Sequence, residues 1–190
     1  MSTKENTKDK IIRISKNLFS KKGFDATSMS HISTAVGINK ASIYYFFKNK
    51  ETIYFEIIKS GLNKISDYLD KIEPDKGLEN NKNDKIDFVS VIEKLIEMNM
   101  KEGVVPHILD SGSLDKRSKE FISIHKGMGD IRRAFENICR LSNIENPEIA
   151  SLVTLNAIHA YIVQSSCKGL SIKIKPKDYA RYLAKLLENK

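Results

Sequence analysis

The chain contains little cysteine and no long hydrophobic run. Only Cys139 and Cys167 are present, and neither forms a CxxC or CxxH pattern, which argues against a disulfide framework and a structural zinc site. No apolar stretch approaches the roughly 18–20 residues that a membrane span requires. The start of the chain is polar and includes no apolar signal-peptide region, so we expect a cytoplasmic protein.

The sequence signatures of common enzymes are also missing. The chain has no glycine-rich phosphate loop, no HExxH, no GxSxG and no convincing pair of carboxylates. His107, His125 and His159 are not spaced four residues apart, so they do not form a pair of metal ligands on one helix. We therefore expect no enzymatic activity, no metal and no cofactor.

Acidic residues are scarce in the first quarter of the chain. Residues 1–50 contain ten lysines and arginines but only three acidic residues, whereas residues 51–190 contain 22 basic and 21 acidic residues. No acidic residue occurs between Asp25 and Glu51. Most of the net charge of +8 therefore lies at one end, which indicates a polyanionic partner, either nucleic acid or an anionic membrane surface.

Almost every segment has the hydrophobic period of a helix. No segment alternates apolar and polar residues for long enough to predict a sheet, and no internal repeat occurs. Residues 73–84 contain proline, glycine and three asparagines and predict a loop or linker. The predicted fold class is all-α, with helices over about 8–22, 28–36, 39–47, 51–72, 85–101, 115–142, 147–167 and from 175 onwards.

The second and third predicted helices are joined at Gly37, as in a helix-turn-helix. Gly37 supplies the left-handed conformation that a sharp turn requires. We expect Ile32 and Ala35 to face inward, with the small Ala35 permitting close approach of the two helices. Ile38 and Ile43 are then expected to fill the core. The third helix, as the second of the helix-turn-helix, is the candidate recognition helix.

The outward face of this third helix carries groups suited to DNA. Its members are polar or aromatic: Asn39, Lys40, Ser42 and Tyr45. A recognition helix enters the major groove with its first turn toward the base edges. Lys40 can donate to guanine there, and Ser42 can bond to bases or phosphates.

The four consecutive aromatic residues that end this helix are predicted to serve both a core and a DNA surface. Tyr44 and Tyr45 have rings that pack at the helix end and hydroxyls that can reach phosphates, and one of the two following phenylalanines closes the core. Lys48 and Lys50 then lie beside the duplex as charge partners. The amides at the start of the fourth helix, just after Lys50, also favour anions.

Residues 9–55 resemble the N-terminal DNA-binding domain of the TetR family of transcriptional repressors. The resemblance is carried by Gly23-Phe24, the TS before the second helix, the VGINK turn, the SIYYFF helix end and the KNKE junction. It implies an N-terminal three-helix helix-turn-helix DNA-binding domain and a C-terminal helical bundle for regulation and dimerisation. The expected divisions are a DNA-binding domain over 1–50, a connecting helix over 51–72 and a regulatory domain over 73–190.

The resemblance also implies roles for single residues. Base-edge contacts are implied for Lys40 and Ser42, and phosphate contacts for Ser28, Tyr44, Tyr45 and Lys50. The chain departs from the family pattern at three positions. His31 stands where an acidic residue is common, Ser33 stands where alanine is common, and Phe46, which cannot hydrogen-bond, stands where histidine or tyrosine is frequent.

The remaining three quarters of the chain carry no motif of their own. Pockets between bundle helices are apolar with a few polar groups, and the residues that fit such a lining fit a packed core equally well. The candidate lining residues for a largely apolar small-molecule effector are Phe88, Met98, His107, Phe121, His125, Met128 and Phe135.

The segment 149–162 is apolar nearly all round, which is more than one partner helix would cover. The family resemblance implies that the last two helices of two subunits form a four-helix interface and hence a homodimer. The alternative for this segment is burial inside the regulatory domain.

We therefore expect a ligand-responsive regulator that binds double-stranded DNA and not a membrane. Its expected form is a homodimeric repressor that binds a palindromic operator and is released by a small molecule. The leading alternative is a helical small-molecule sensor or carrier whose basic end binds a membrane or an acidic partner. An activator or a nucleoid-like DNA-binding protein is also compatible with the sequence.

Overall fold

A computed structural model describes residues 6–72, 86–102, 117–166 and 173–188. These residues form eight α-helices and no strand. The all-α prediction is confirmed. The predicted linker at 73–84, His107 and Cys167 lie outside the described residues. The helices are α1 (Thr7–Lys22), α2 (Met29–Val36), α3 (Lys40–Phe46), α4 (Lys50–Leu69), α5 (Phe88–Glu102), α6 (Lys119–Leu141), α7 (Pro147–Ser166) and α8 (Pro176–Glu188).

Side-chain caps fix where the first four helices begin. Asn6, Asn39 and Asn49 each accept a hydrogen bond from a backbone N–H in the first turn of the helix that follows. Ser28 caps α2 in the same way. Because these short polar side chains satisfy amides that lack a helical partner, the helix starts are encoded locally and were predictable.

The N-terminal domain is held by a small core to which α1 to α4 all contribute. Ile11, Ile32, Ile43 and Ile53 are fully buried. Phe47, just after α3, is also buried. Each of these side chains comes from a different helix or helix end, so α1, α2, α3 and α4 all contribute to one core.

A second group of aromatic rings joins the end of α1 to α4. The ring centroid of Phe24 lies 5.3 Å from that of Phe19 and 5.1 Å from that of Tyr54. Tyr54 is buried, and this burial raises the pKa of its phenol. The loop between α1 and α2 is therefore anchored to the first turns of α4.

The long α4 connects this domain to the remaining helices. It packs on α1, and it also packs on α5 and α6. In the C-terminal part, α5 packs on α8 and α7, and α6 packs on α7. The rings of Phe88 and Phe135 meet edge to face at 6.3 Å, and those of Tyr161 and Tyr179 stack at 4.5 Å. These contacts form the core of the C-terminal bundle.

One packing prediction was wrong. Ala35 is exposed, whereas Ser33, two residues earlier, is buried. The Ser33 hydroxyl donates to the Ser30 carbonyl oxygen at 2.9 Å, so the buried hydroxyl is satisfied within its own helix. The small residue of α2 that is buried is therefore Ser33 and not Ala35.

Candidate nucleic-acid interface

The turn between α2 and α3 has the geometry that the sequence predicted. Gly37 adopts the left-handed conformation, with φ 78° and ψ 34°. Its N–H and that of Ile38 both donate to the Ser33 carbonyl oxygen, at 3.0 and 3.1 Å. A Cβ at position 37 would meet no atom within 4 Å, so glycine is required here by the backbone conformation and not by space.

The turn sets α3 so that one face is buried and the other is open. Ile43 is fully buried, while Lys40 and Ala41 are exposed. Tyr44 is 48% exposed and Tyr45 is 85% exposed. An aromatic residue so fully exposed at the end of a short helix has no role in the core of this chain, and its ring and hydroxyl are available to a partner.

The two serines with predicted DNA roles are both engaged in helix caps. The Ser42 hydroxyl donates to Asn39 Oδ1 at 2.8 Å, and the Ser42 N–H donates to the same oxygen at 2.7 Å. Ser42 therefore keeps acceptor capacity, which suits a base amino group better than a phosphate. Ser28 Oγ instead accepts from the His31 N–H at 3.1 Å, so the Ser28 hydroxyl hydrogen is available to a phosphate.

His31 replaces the acidic residue of the family pattern without loss of the cap. Its Nδ1 accepts a hydrogen bond from the Ser28 N–H at 3.3 Å, which completes a reciprocal capping box. The usual acidic partner would add a negative charge at the start of α2. Histidine performs the capping without that charge, so the segment between Asp25 and Glu51 remains free of acidic residues.

The lysines near α3 have different surroundings. Lys40 Nζ lies 5.9 Å from the centroid of the Tyr44 ring, a cation–π distance. Lys48 is exposed. Lys50 is only partly exposed, and its Nζ donates to the carbonyl oxygens of Phe24 at 3.0 Å and Asp25 at 3.3 Å. Lys50 thus differs from Lys40 and Lys48 in that its ammonium is bound within the chain.

Sequence reasoning did not select Ala41. This exposed residue stands four positions before Tyr45, so the two side chains share one face of α3. The methyl group of alanine is one of the apolar contacts that read a thymine methyl in the major groove. The spacing to Tyr45 was the available signal.

The predicted pocket residues are distributed over α5 and α6 in different surroundings. Phe88, Phe121 and Phe135 are buried, and Met98 is half-buried. His125 and Met128 are exposed. The His125 ring lies 4.2 Å from that of Phe121, with its Nδ1 3.1 Å from the Phe121 carbonyl oxygen. Three of these residues are thus in the core and two face outward, and a pocket formed by them remains a prediction.

Large apolar side chains are exposed along α7 and α8. On α7 they are Ile149, Leu152 and Val153, each at least half exposed, and on α8 they are Tyr182 and Leu186. The opposite side of α7 is buried, with Thr154, Ile158 and Ile162 against the bundle. An open groove of about 790 Å³ runs between the two helices and includes Ile149, Val153 and Leu186.

Two further classes of site are absent from the described parts of the chain. Residues 6–72, 86–102, 117–166 and 173–188 contain no group of three or more His, Cys, Asp or Glu side chains placed to hold a metal ion. None of the helices in these ranges is both long and apolar enough to cross a membrane.

The pair of α2 and α3, joined at Gly37 and carrying an exposed basic and aromatic face, has the geometry of a helix-turn-helix. Residues 11–57 match the family of bacterial regulatory proteins described as the tetR family. The biofilm operon icaADBC HTH-type negative transcriptional regulator IcaR of Staphylococcus epidermidis is 47% identical to the chain over 62 residues. That alignment covers 33% of this chain and 34% of the relative. The match therefore spans about a third of the curated relative's length.

Structural similarity extends over nearly the whole chain. A transcriptional regulator from Aquifex aeolicus VF5 has a TM-score of 0.68 at 23% identity, covering 96% of this chain and 98% of that one. AibR, solved in complex with isovaleryl coenzyme A and operator DNA, has a TM-score of 0.67 at 14% identity, with 96% and 98% coverage. The fold is thus shared along nearly the whole chain. Because these solved structures are under 25% identical to the chain, they show a shared fold, and the sequence match to the tetR family covers residues 11–57.

Proposed function

We propose that the chain is a homodimeric, ligand-responsive transcriptional repressor that binds a palindromic operator and is released by a small molecule. The observation that carries the proposal is the exposed face of α3, where Lys40, Ala41 and Tyr45 project from a helix that Gly37 sets against α2. The relatives named as a negative transcriptional regulator and as an operator-bound regulator support it.

The proposed DNA contacts fall into two groups. Lys40, Ser42 and Ala41 are assigned to base edges, because they lie in the first turn of α3. Exposed residues at the start of α2 and at the end of α3 are assigned to phosphates: Ser28, Tyr44, Tyr45 and Lys48. Lys50 is left out of the phosphate group, because its ammonium already donates to the carbonyl oxygens of Phe24 and Asp25 within the chain.

The proposed dimer forms through α7 and α8. The proposal is supported by the exposed apolar residues of these helices, of which Ile149, Val153 and Leu186 line one groove. A second copy of the same surface would cover these residues in an isologous interface. The helix-turn-helix units (α2 and α3) of the two subunits, here called the two heads, would then bind successive major grooves about 34–36 Å apart, or slightly more.

The proposed effector is a small, largely apolar molecule that binds in the C-terminal bundle. Its lining is proposed to come from the predicted α5 and α6 residues together with His107. Binding would favour a state in which the two heads no longer match the operator spacing. A coupling free energy of about 1–3 kcal/mol would change operator affinity by roughly 5–150-fold. Mass spectrometry of molecules released from the purified chain tests for such a ligand.

The proposed DNA binding is tested by fluorescence anisotropy. The probe is a labelled duplex that the chain itself selects from a random-sequence library. We expect affinity to decrease steeply between about 50 and 200 mM KCl, because each neutralised phosphate contributes roughly 0.9 to the salt slope. Binding to vesicles of anionic lipid without binding to any duplex would instead favour the sensor or carrier function.

A further inference from the structure

We infer that Lys50 is a positioning residue that fixes the recognition unit to α4. Its ammonium fastens the α1–α2 loop (residues 23–28) to the first turn of α4. This inference rests on the proposed function, since its consequence is measured in DNA binding. It assigns Lys50 a role that differs from the phosphate contact implied by the sequence.

Two backbone carbonyls converge on the Lys50 ammonium. Nζ donates to the oxygen of Phe24 at 3.0 Å and to that of Asp25 at 3.3 Å. The two acceptors belong to consecutive residues in the chain, 26 and 25 positions before the lysine. An ammonium group has three donors, so most of its hydrogen-bonding capacity is used within the chain before any DNA is bound.

The side chain of Phe24 provides a further contact. Lys50 Nζ lies 4.3 Å from the centroid of the Phe24 ring, which is itself buried against Phe19 and Tyr54. A cation above a ring face at this distance is attracted by the ring quadrupole. The ammonium is therefore held by one residue through both its carbonyl oxygen and its ring.

The loop that Lys50 binds leads directly into α2. The Thr27 N–H donates to the Phe24 carbonyl oxygen at 3.1 Å, and the Thr27 hydroxyl donates to the Gly23 carbonyl oxygen at 2.7 Å. Thr27 is buried and Ser28, the next residue, caps α2. Fixing the Phe24 and Asp25 carbonyls therefore fixes the start of α2, and with it the unit formed by α2 and α3.

The position of Lys50 in α4 is unfavourable for any role in helix stability. Lys50 is the first residue of α4, where the helix dipole disfavours a cation. The ammonium leaves that end and reaches the loop instead. The helix α4 also packs on α5 and α6. Lys50 therefore links the helix that contacts the C-terminal bundle to the start of the unit formed by α2 and α3.

Positioning and phosphate binding by Lys50 predict different effects on DNA binding. Base contacts depend on the orientation of α3, whereas phosphate contacts with random DNA tolerate small rotations. Loss of a positioning residue should therefore weaken binding to selected DNA far more than binding to random DNA. It should leave the salt dependence of the affinity unchanged. Loss of a phosphate contact should weaken both equally and lower the slope by roughly 0.9.

The test compares Lys50→Met with Lys48→Met, a matched substitution at an exposed lysine two residues away. Affinity for the selected duplex and for a scrambled duplex of equal length is measured against KCl concentration. For Lys50→Met we expect the affinity for the selected duplex to fall roughly tenfold or more, which corresponds to the loss of about one base contact. We expect less than a twofold change on the scrambled duplex and an unchanged salt slope.

For Lys48→Met we expect equal losses on both duplexes and a slope lower by roughly 0.9. If Lys50→Met behaves in this way too, the positioning role is overturned. If the unmodified chain binds no duplex at all, the proposed function fails, which is a separate and recognisable result.

A measurement on the unmodified chain avoids any dependence on how the variant folds. Reductive methylation followed by mass spectrometry reports the reactivity of each lysine amine. In the absence of DNA we expect Lys50 to react several-fold more slowly than Lys48, because its amine is bound to the loop. Equal reactivity of Lys48 and Lys50, with protection of Lys50 only after DNA is added, would contradict the inference.

Discussion

Gly127 of α6 lies directly against Leu62 of α4. A Cβ at position 127 would stand 3.3 Å from Leu62 Cδ1 and 3.8 Å from Leu62 Cβ. Leu62 is buried, so the absence of a side chain at 127 lets the two helices approach closely. This contact lies where α4, which also packs on α1, meets the C-terminal bundle.

Substitution of Gly127 by alanine tests whether this close approach is required. Alanine in a helix is favoured over glycine by roughly 0.8–1 kcal/mol, but at 127 its methyl group must displace Leu62. Gly129→Ala, on the same helix, is the matched control, because a Cβ there meets only the end of the Arg133 side chain at 3.7 Å. In urea unfolding we expect Gly129→Ala to stabilise by about 1 kcal/mol and Gly127→Ala to stabilise less or to destabilise. Equal stabilisation by both would contradict the contact.

Replacement of Gly37 should destabilise the fold only through strain in the backbone at this position. Because φ is 78° and a Cβ at this position would meet no atom within 4 Å, Gly37→Ala is expected to lower the free energy of unfolding by about 1–2 kcal/mol. Asparagine tolerates the left-handed region better than alanine, so Gly37→Asn should cost less. Urea titration followed by circular dichroism measures both. An alanine variant as stable as the asparagine variant would contradict the claim that the left-handed backbone conformation is what requires glycine here.

Helix starts and the turn were predictable because their causes are local. Asn39 and Ser28 bond to amides only three residues away, and Gly37 determines the turn by its own conformation. The roles of Ser33 and Lys50 were not predictable in this way. Which small residue of α2 is buried depends on how α2 packs on its neighbours. The acceptors of Lys50 lie 25 and 26 residues earlier in the chain, a separation that no local pattern reveals.

The predicted pocket shows what apolar spacing alone does not decide. Apolar spacing places Phe88, Phe121 and Phe135 inward, and all three are buried. The same pattern does not distinguish an inward residue that fills the core from one that lines a cavity. His125 and Met128 were selected for their chemistry, and they lie on the exposed side of α6. The exposed side of α3 could be predicted more fully, because its turn and capping residues fix its orientation.

The proposed dimer surface predicts a change of oligomeric state. Val153 is 55% exposed in the single chain, and in the proposed interface it is covered by a second copy. Val153→Glu would bury an unpaired charge there, so we expect a monomer by analytical ultracentrifugation. Ile122→Glu is the matched control, since Ile122 is 58% exposed on α6 and should leave the dimer intact. A dimer that survives Val153→Glu and is lost with Ile122→Glu would place the interface elsewhere.

Cys139 is predicted to be unreactive in the folded chain. Its side chain is fully buried, and this burial, aided by the negative charge of Glu136, raises the pKa of the thiol to about 12. The thiol is therefore neutral at physiological pH, and its contribution to stability is lost only as pH rises from its unfolded value of 9.0 towards 12. In a Cys167→Ser background, a disulfide reagent at neutral pH should modify Cys139 only as urea unfolds the chain. Rapid modification in native buffer would contradict its burial.

The proposed base contact of Lys40 can be distinguished from the proposed phosphate contact of Lys48. Lys40 lies in the first turn of α3 and Lys48 lies after its end, so only Lys40 is placed to reach a base edge. We expect Lys40→Ala to reduce discrimination against a changed base pair by about 1–3 kcal/mol. Lys48→Ala should weaken binding to every sequence alike. Selection from a random library by each variant, followed by sequencing, measures the preference at every position. An unchanged preference for Lys40→Ala would show that α3 reads the bases through other residues.

Hydroxyl-radical footprinting of the chain on its selected duplex tests the central claim most directly. Two heads of a symmetric dimer should give two equivalent protected patches on one face of the DNA. Their centres should be separated by about one helical turn, 34–36 Å, or slightly more, and Val153→Glu should remove the paired pattern. A single asymmetric patch, or protection that ignores sequence symmetry, would contradict a dimeric reader of a palindromic operator.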